Sequence, residues 1–222
     1  RSAEVLTRLL AAQPDDAATA RHLAQAHLDL GNHLAGRGQW AEAKRSYEQG
    51  RDLRDTLAAR APADLALQAE LAAAIERVAV ASDQLGDLAA ALASYRAALD
   101  IRQRVMAAAP ANVGLQRDYV LTLSLASDVL LRLGEREEGQ QGLLRAFAIV
   151  AKYAADFPDN ALLQSDLAIG LYLLALHLDD DPAPRLAQAR DIARRLEAAG
   201  KLTPETKAYL AQLERKIADR SR

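Results

Sequence analysis

The four histidines, His22, His27, His33 and His177, are the side chains best suited to acid–base or metal chemistry near neutral pH. The first three are five and six residues apart, so they do not share a helix face as an i, i+4 pair would. The chain has no Cys, which excludes disulfides and thiolate ligands, so a zinc site would need carboxylates from elsewhere. All four are read as structural or surface residues. Asp179-Asp180-Asp181 lacks the alternating ligands and the glycine of a calcium loop and reads as a solvated turn leading into a helix. No phosphate-cradling glycine loop, H-E-x-x-H pair or G-x-S-x-G elbow is present. These residues predict a chain that is not an enzyme and holds no metal or cofactor.

The elements that carry these residues are helical. Among 222 residues are 50 Ala and 38 Leu, both strong helix formers, against only 2 Phe, 1 Trp and 6 Tyr, which argues against a β-sandwich or barrel. The 28 basic and 30 acidic side chains give a net charge of −2, evenly divided between the two halves. With no basic domain or stripe to neutralise phosphates, nucleic acid is not an expected partner. The longest apolar run, Leu167 to Leu178, includes His177 and falls short of the roughly 20 residues of a membrane span. It reads as a buried helix. No secretory signal opens the chain, and a cytoplasmic location without membrane contact is the expectation.

Helix breakers recur at a fixed spacing. Gly38, Gly86 and Gly134 lie 48 residues apart, as do Pro14, Pro62, Pro110 and Pro158. Tyr47 and Tyr95, Gln68, Gln116 and Gln164, and Ala43, Ala91 and Ala187 (with Gly139 between) keep the same period. A sustained period of this size marks a stacked-repeat architecture. Each unit holds two long helical stretches. Apolar steps of three, four and seven, such as Leu71, Ile75 and Val78 or Leu167, Leu171, Leu174 and Leu178, follow the helical period. Asp15, Asp64, Asn112 and Asn160 stand where they could accept the free N–H groups of a first turn. The predicted helices are 2–12, 15–36, 39–60, 63–85, 87–108, 112–133, 135–156, 160–179, 183–199 and 204–220.

Leu30-Gly31, Gly38, Ala43 and Tyr47 together resemble the tetratricopeptide repeat. The pattern returns as Val78-Ala79, Gly86, Ala91 and Tyr95, then as Ala126-Ser127, Gly134, Gly139 and Leu143. The fourth copy keeps Leu174-Ala175 and Ala187 but has Pro182 where the turn glycine is expected. The resemblance implies an all-α fold, a right-handed α-solenoid of antiparallel helix pairs with about ten helices. The small residues would let helices approach toward the close end of the ~8–10 Å packing range. A period of 48 exceeds the family's usual 34 by about seven residues per helix, or roughly 10 Å of height.

The expected organisation is one repeat domain, 1–222: a half-repeat at 1–14, repeats at 15–62, 63–110, 111–158 and 159–199, and a capping helix in 200–222. Val5 and Leu9 align with Leu53 and Leu57, which places the start inside a second helix whose first helix is missing and predicts a continuation upstream. Thr203-Pro204 makes a good helix start, and Tyr209, Leu210, Leu213 and Ile217 form the one apolar face of the cap.

The resemblance further implies that the first helix of each pair lines a groove for an extended peptide. The groove positions form columns: Leu28, Glu76, Ser124 and Tyr172; Asn32, Val80, Asp128 and Leu176; and Ala35, Asp83, Leu131 and Asp179. They hold four carboxylates and no basic group, with apolar residues between. The expected partner is therefore a protein or peptide segment with apolar and basic side chains, drawn by opposite charge and held by apolar anchors. The leading function is a non-catalytic interaction scaffold, an arm of a larger protein. The alternative is a structural module for self-association or for docking onto an upstream catalytic or signalling domain of the same chain. Bacterial members of the family with extended repeats imply such domains, and the Ala/Arg-rich composition fits a bacterial source.

Overall fold

A computed structural model describes residues 2–220. The expected upstream continuation turns on what precedes Arg1 and lies outside them, as do Ser221 and Arg222 of the expected cap. Among the described residues are ten α-helices and no strand: α1 (Ser2–Ala12), α2 (Ala17–Ala35), α3 (Trp40–Arg60), α4 (Leu65–Gln84), α5 (Leu88–Ala108), α6 (Val113–Arg132), α7 (Arg136–Asp156), α8 (Ala161–His177), α9 (Ala183–Ala198) and α10 (Pro204–Arg220). Each coincides with a predicted helix to within two residues at either end. We call α2, α4, α6 and α8 the A helices and α3, α5, α7 and α9 the B helices. The chain divides into two compact units, one ending at Val129 and one beginning at Leu130, with the division inside α6.

Local chemistry explains the helix ends. Gly38, Gly86 and Gly134 have φ of 73°, 80° and 88°, a left-handed conformation that carries a strain penalty for residues with a Cβ. The turn lets the N–H groups of Gln39, Asp87 and Glu135 donate back to the carbonyls of Leu34, Ser82 and Leu130 at 3.0, 3.0 and 2.9 Å. Asp64, Asn112 and Asn160 accept from first-turn N–H groups as expected. At α2 the capping residue is Asp16, not Asp15, and it accepts from the N–H groups of Ala18 and Thr19. The periodic glutamines serve the other end: Gln68 and Gln164 donate to the carbonyls of Ala58 and Ala154 at 3.2 and 2.8 Å, and Gln116 to that of Pro110 at 2.7 Å. They satisfy carbonyls that the closing turn of a B helix leaves open or beyond it.

In the first unit, α3 packs against both α2 and α4, and α4 packs against α5. Its core is layered from the periodic positions: Leu28, Ala43, Tyr47, Ala74, Val78 and Ala81 form one cluster, and Ala58, Leu71, Ala72, Ile101 and Val105 another. Tyr47 and Tyr95 are both buried. Gly31 is small for a steric reason, since a Cβ there would stand 2.4 Å from the Tyr47 ring.

In the second unit α8 packs against α7, α9 and α10. Ala168, Leu171, Tyr172 and Ala175 of α8 meet Leu186, Ala189 and Ile192 of α9 and Leu210, Leu213 and Ile217 of α10. Two expectations are corrected here. Ala187 is exposed, and Leu186, Ala189, Ile192 and Leu196 form the buried face of α9, which follows Asp179-Asp180-Asp181-Pro182 in place of a glycine turn. Tyr209 is 40% exposed, and among the described residues of α10 the buried ones are Leu210, Leu213 and Ile217.

Candidate functional site

The sequence-predicted groove residues fall into three groups once placed. Leu28 and Tyr172, of the first column, are only 6% and 2% exposed. Leu28 lies beside Gly50, where a Cβ would come within 2.9 Å of it, and belongs to the core rather than to an open face. The reason is angular. Position 28 is four residues after buried Ala24 and three before buried Gly31, so it continues the core stripe.

The second group is charged but already matched. In the first unit, Glu76 accepts from Arg102 Nη2 at 3.0 Å and from the Thr122 hydroxyl, while Arg102 Nη1 reaches Asp118 at 3.2 Å. Arg102 is itself buried. In the second unit, Asp179 pairs with Arg136 and accepts from Gln140 Nε2 at 3.2 Å, while Gln140 also donates to the His177 carbonyl at 2.8 Å. Glu76 and Asp179 thus each have a cation beside them.

The third group stays accessible. Asn32 is exposed and accepts from the Tyr47 hydroxyl at 3.0 Å. Val80, Asp83, Ser124 and Asp128 in the first unit are half-buried, as are Leu131 and Leu176 in the second. The columns that face solvent most directly begin at Gln25 and Asp29. Along them Asp29, Arg77 and Leu121 are exposed, and Ala73 and Leu125 are half-buried in the first unit; Ile169 and Leu173 are half-buried in the second. The sequence reading missed these columns. Centring the apolar stripe on Ala20, Leu23, Ala24, Leu28 and Gly31 would have placed 25 and 29 opposite it.

Sequence reasoning also missed Arg54. It lies one period before Arg102, is 8% exposed, and donates from Nη1 to the Glu70 carbonyl at 2.9 Å and from Nη2 to Gln25 Oε1 at 2.7 Å. Its Nε has no hydrogen-bond partner, and burial pushes the guanidinium below its ordinary pKa. The signal was the 48-residue step from Arg54 to Arg102.

The second unit has its own concavity, about 350 Å³, bordered by Tyr172, Arg190, Arg194, Leu202, Lys207 and Leu210 among others. Tyr172 donates to Glu214 at 2.7 Å and Arg190 Nε to the same oxygen at 2.6 Å. Burial, then Glu214, pushes the Tyr172 phenol well above its usual value, while Arg190 and Tyr172 hold the Glu214 carboxyl low. This arrangement fixes the rim through one shared carboxylate oxygen. Among the described residues no group of three or more His, Asp or Glu could hold a metal ion, and no helix is long and apolar enough to cross a membrane.

No family model matches the chain, and no curated protein matches its sequence. Solved structures do match. One is a putative kinesin light chain of nearly identical TPR-like repeats from Podosopora anserina, 18% identical, covering 91% of this chain and 98% of that one with a TM-score of 0.50. Another is BtubC (BKLC) from P. vanneervenii, 16% identical, covering 100% of this chain and 89% of that one, also with a TM-score of 0.50. At such identities the likeness is one of fold: an all-α array of helix pairs of the tetratricopeptide kind.

Proposed function

We propose that the chain is a non-catalytic interaction scaffold that binds a polypeptide segment against the open sides of its A helices. The observation that carries this reading is the contrast between helix types in the first unit. The open sides of α4 and α6 offer Ala73, Val80, Leu121 and Leu125, with Leu121 52% exposed, whereas the outward residues of α3 are mainly polar and charged, among them Glu42, Arg45, Gln49, Asp52 and Asp55. Apolar side chains held half-open on rigid helices supply anchor sites at little ordering cost. The partner's chemistry follows from the same face: apolar anchors first, with basic groups near Asp83 and Asp128.

The test is selection of peptides from a random display library on the immobilised chain, followed by titration of each selected peptide. Selected peptides should share apolar anchors and carry Lys or Arg. Leu121→Glu should weaken them tenfold or more, and the pair Asp83→Lys with Asp128→Lys should weaken the basic ones preferentially. Unchanged affinity across these variants would remove the A-helix face as the site. Self-association is separated by sedimentation over a concentration series: a tight dimer that blocks peptide binding would favour the structural alternative.

A further inference from the structure

Two side-chain amides on α2 are each held in one orientation by a buried donor of α3. Gln25 Oε1 accepts from Arg54 Nη2 at 2.7 Å, and Gln25 Nε2 donates to Asp29 Oδ1 at 2.8 Å. An arginine only donates and a carboxylate accepts, so this amide cannot be turned over without losing both bonds. Seven residues on, Asn32 Oδ1 accepts from the Tyr47 hydroxyl at 3.0 Å. Arg54 and Tyr47 are 8% and 2% exposed, whereas Gln25 and Asn32 are exposed. Each amide has its oxygen tied to a buried group and its N–H groups on the exposed side. Among the described residues the Asn32 Nδ2 hydrogens, and one of the two on Gln25 Nε2, have no acceptor.

These positions are open in the later copies as well, so their exposure belongs to the A-helix face. Ala73 and Val80 of α4 are half-buried, as is Asp128 of α6, and Leu121 of α6 is 52% exposed. The side chains of Ala73, Val80, Leu121 and Asp128 do not donate, so in the first unit the donor pair at these two positions belongs to α2 alone. Seven residues along a helix return to one face about 10.5 Å away. In polyproline II the carbonyls on one side recur every third residue, about 9.3 Å apart. A β segment repeats on one side at about 6.8 or 13.6 Å and matches the pair less well. Around Gln25 the cations Arg21 and Arg54 balance the carboxylates Glu70 and Asp29, which suits a neutral carbonyl and gives a carboxylate no net attraction.

We propose that Gln25 and Asn32 hold two backbone carbonyls of a polyproline-II segment lying along α2, with Arg54 and Tyr47 as positioning residues. The inference rests on the A-helix face being the binding surface, and it adds how the main chain is held there. Donors on α2 take the backbone, and apolar side chains on α4 and α6 take the anchors. Amides fixed before the ligand arrives lower the ordering cost of binding.

The experiment uses the full 222-residue chain, nitrogen-15 labelled, and acetyl-hexaproline amide as the probe. That peptide is uncharged, adopts polyproline II and offers carbonyls on residues that have no N–H. Titration should shift the side-chain amide signals of Gln25 and Asn32 together and saturably, and leave that of Gln49, an exposed glutamine of α3, in place. Gln25→Ala and Asn32→Ala should each weaken the probe about fivefold or more, roughly the worth of one hydrogen bond. Arg54→Met should remove the shift at Gln25 and leave one at Asn32, and Tyr47→Phe should do the reverse, with helical circular dichroism unchanged in both. A merely structural role for Arg54 or Tyr47 would move neither signal selectively. A dissociation constant weaker than about 10 mM, an equal shift at Gln49, or the same pair of shifts with sodium acetate would overturn the proposal. If it falls while selected peptides still depend on Leu121, the A-helix face stands without it. If the probe binds as described and Leu121→Glu alters no selected peptide, the α2 pair stands and the wider face falls.

Discussion

Arg54 and Arg102 occupy the same position of successive B helices, are buried to the same degree, and are satisfied in opposite ways. Around Arg102 the two neighbouring A helices supply carboxylates, Glu76 at 3.0 Å and Asp118 at 3.2 Å. Around Arg54 they supply a backbone carbonyl and an amide, while the Glu70 carboxylate turns to Arg21. In the second unit the corresponding residue is Val150, 3% exposed. One repeat position thus carries an ion-paired cation, a cation held by neutral acceptors and a plain apolar side chain. The lesson is that the period preserves burial at this B-helix position and leaves the chemistry that fills the space free to differ.

The comparison is broken or sharpened first at Arg102. Arg102→Met should cost about 3–5 kcal/mol, because it strands Glu76, whose side chain is 13% exposed, without its cation. Urea unfolding measures this, and the double variant with Glu76→Gln should recover much of the loss. A cost below about 1 kcal/mol would mean that Thr122 and solvent satisfy Glu76 unaided, and the two arginines would not differ as described. Arg54→Met is the control at the matching site. No carboxylate is stranded: only the Glu70 carbonyl and the Gln25 amide oxygen, both neutral, lose a donor, and an apolar chain of similar length replaces a guanidinium whose Nε, like that of Arg102, lacks a partner. The change should lie within about 1 kcal/mol of the parent.

The sequence made the backbone legible and the exposed face much less so. Turn glycines at 38, 86 and 134, and caps at Asp64, Asn112 and Asn160, act through local chemistry, which a single chain states directly. The same holds for Gln68 and Gln164, whose period was visible although their carbonyl acceptors were not. Face assignments depend on tertiary neighbours. Leu28 and Tyr172 went to the wrong side because a column one helical step from the core stripe can turn either way, and the choice was made by Gly50 and by α10. Glu76 read as a free acid because its cation stands 26 residues later, on a helix whose rotation no local rule fixes. Ala187 was misplaced because the period was carried across a turn that had lost its glycine.

A second set of equivalent positions gives the smallest and most specific effect. His27 stands where Ile75, Leu123 and Leu171 stand in later repeats, and its Nδ1 is buried without a hydrogen-bond partner. Burial disfavours the charged ring and holds its pKa below the ordinary 6.5. The unfolded chain therefore binds the proton more readily than the folded one. Stability should fall as pH drops through the unfolded value of about 6.5 and level off once the folded ring is protonated too. His27→Leu removes that dependence and restores the residue type of the third and fourth repeats. It should stabilise the chain at both pH values, and more at pH 5 than at pH 8, because the parent alone loses stability as the unfolded ring takes up its proton. Thermal melts of both proteins between pH 5 and 8 read the difference directly. If the two curves stayed parallel over that range, His27 would have a proton-independent role, and the first repeat would differ from the others in packing alone.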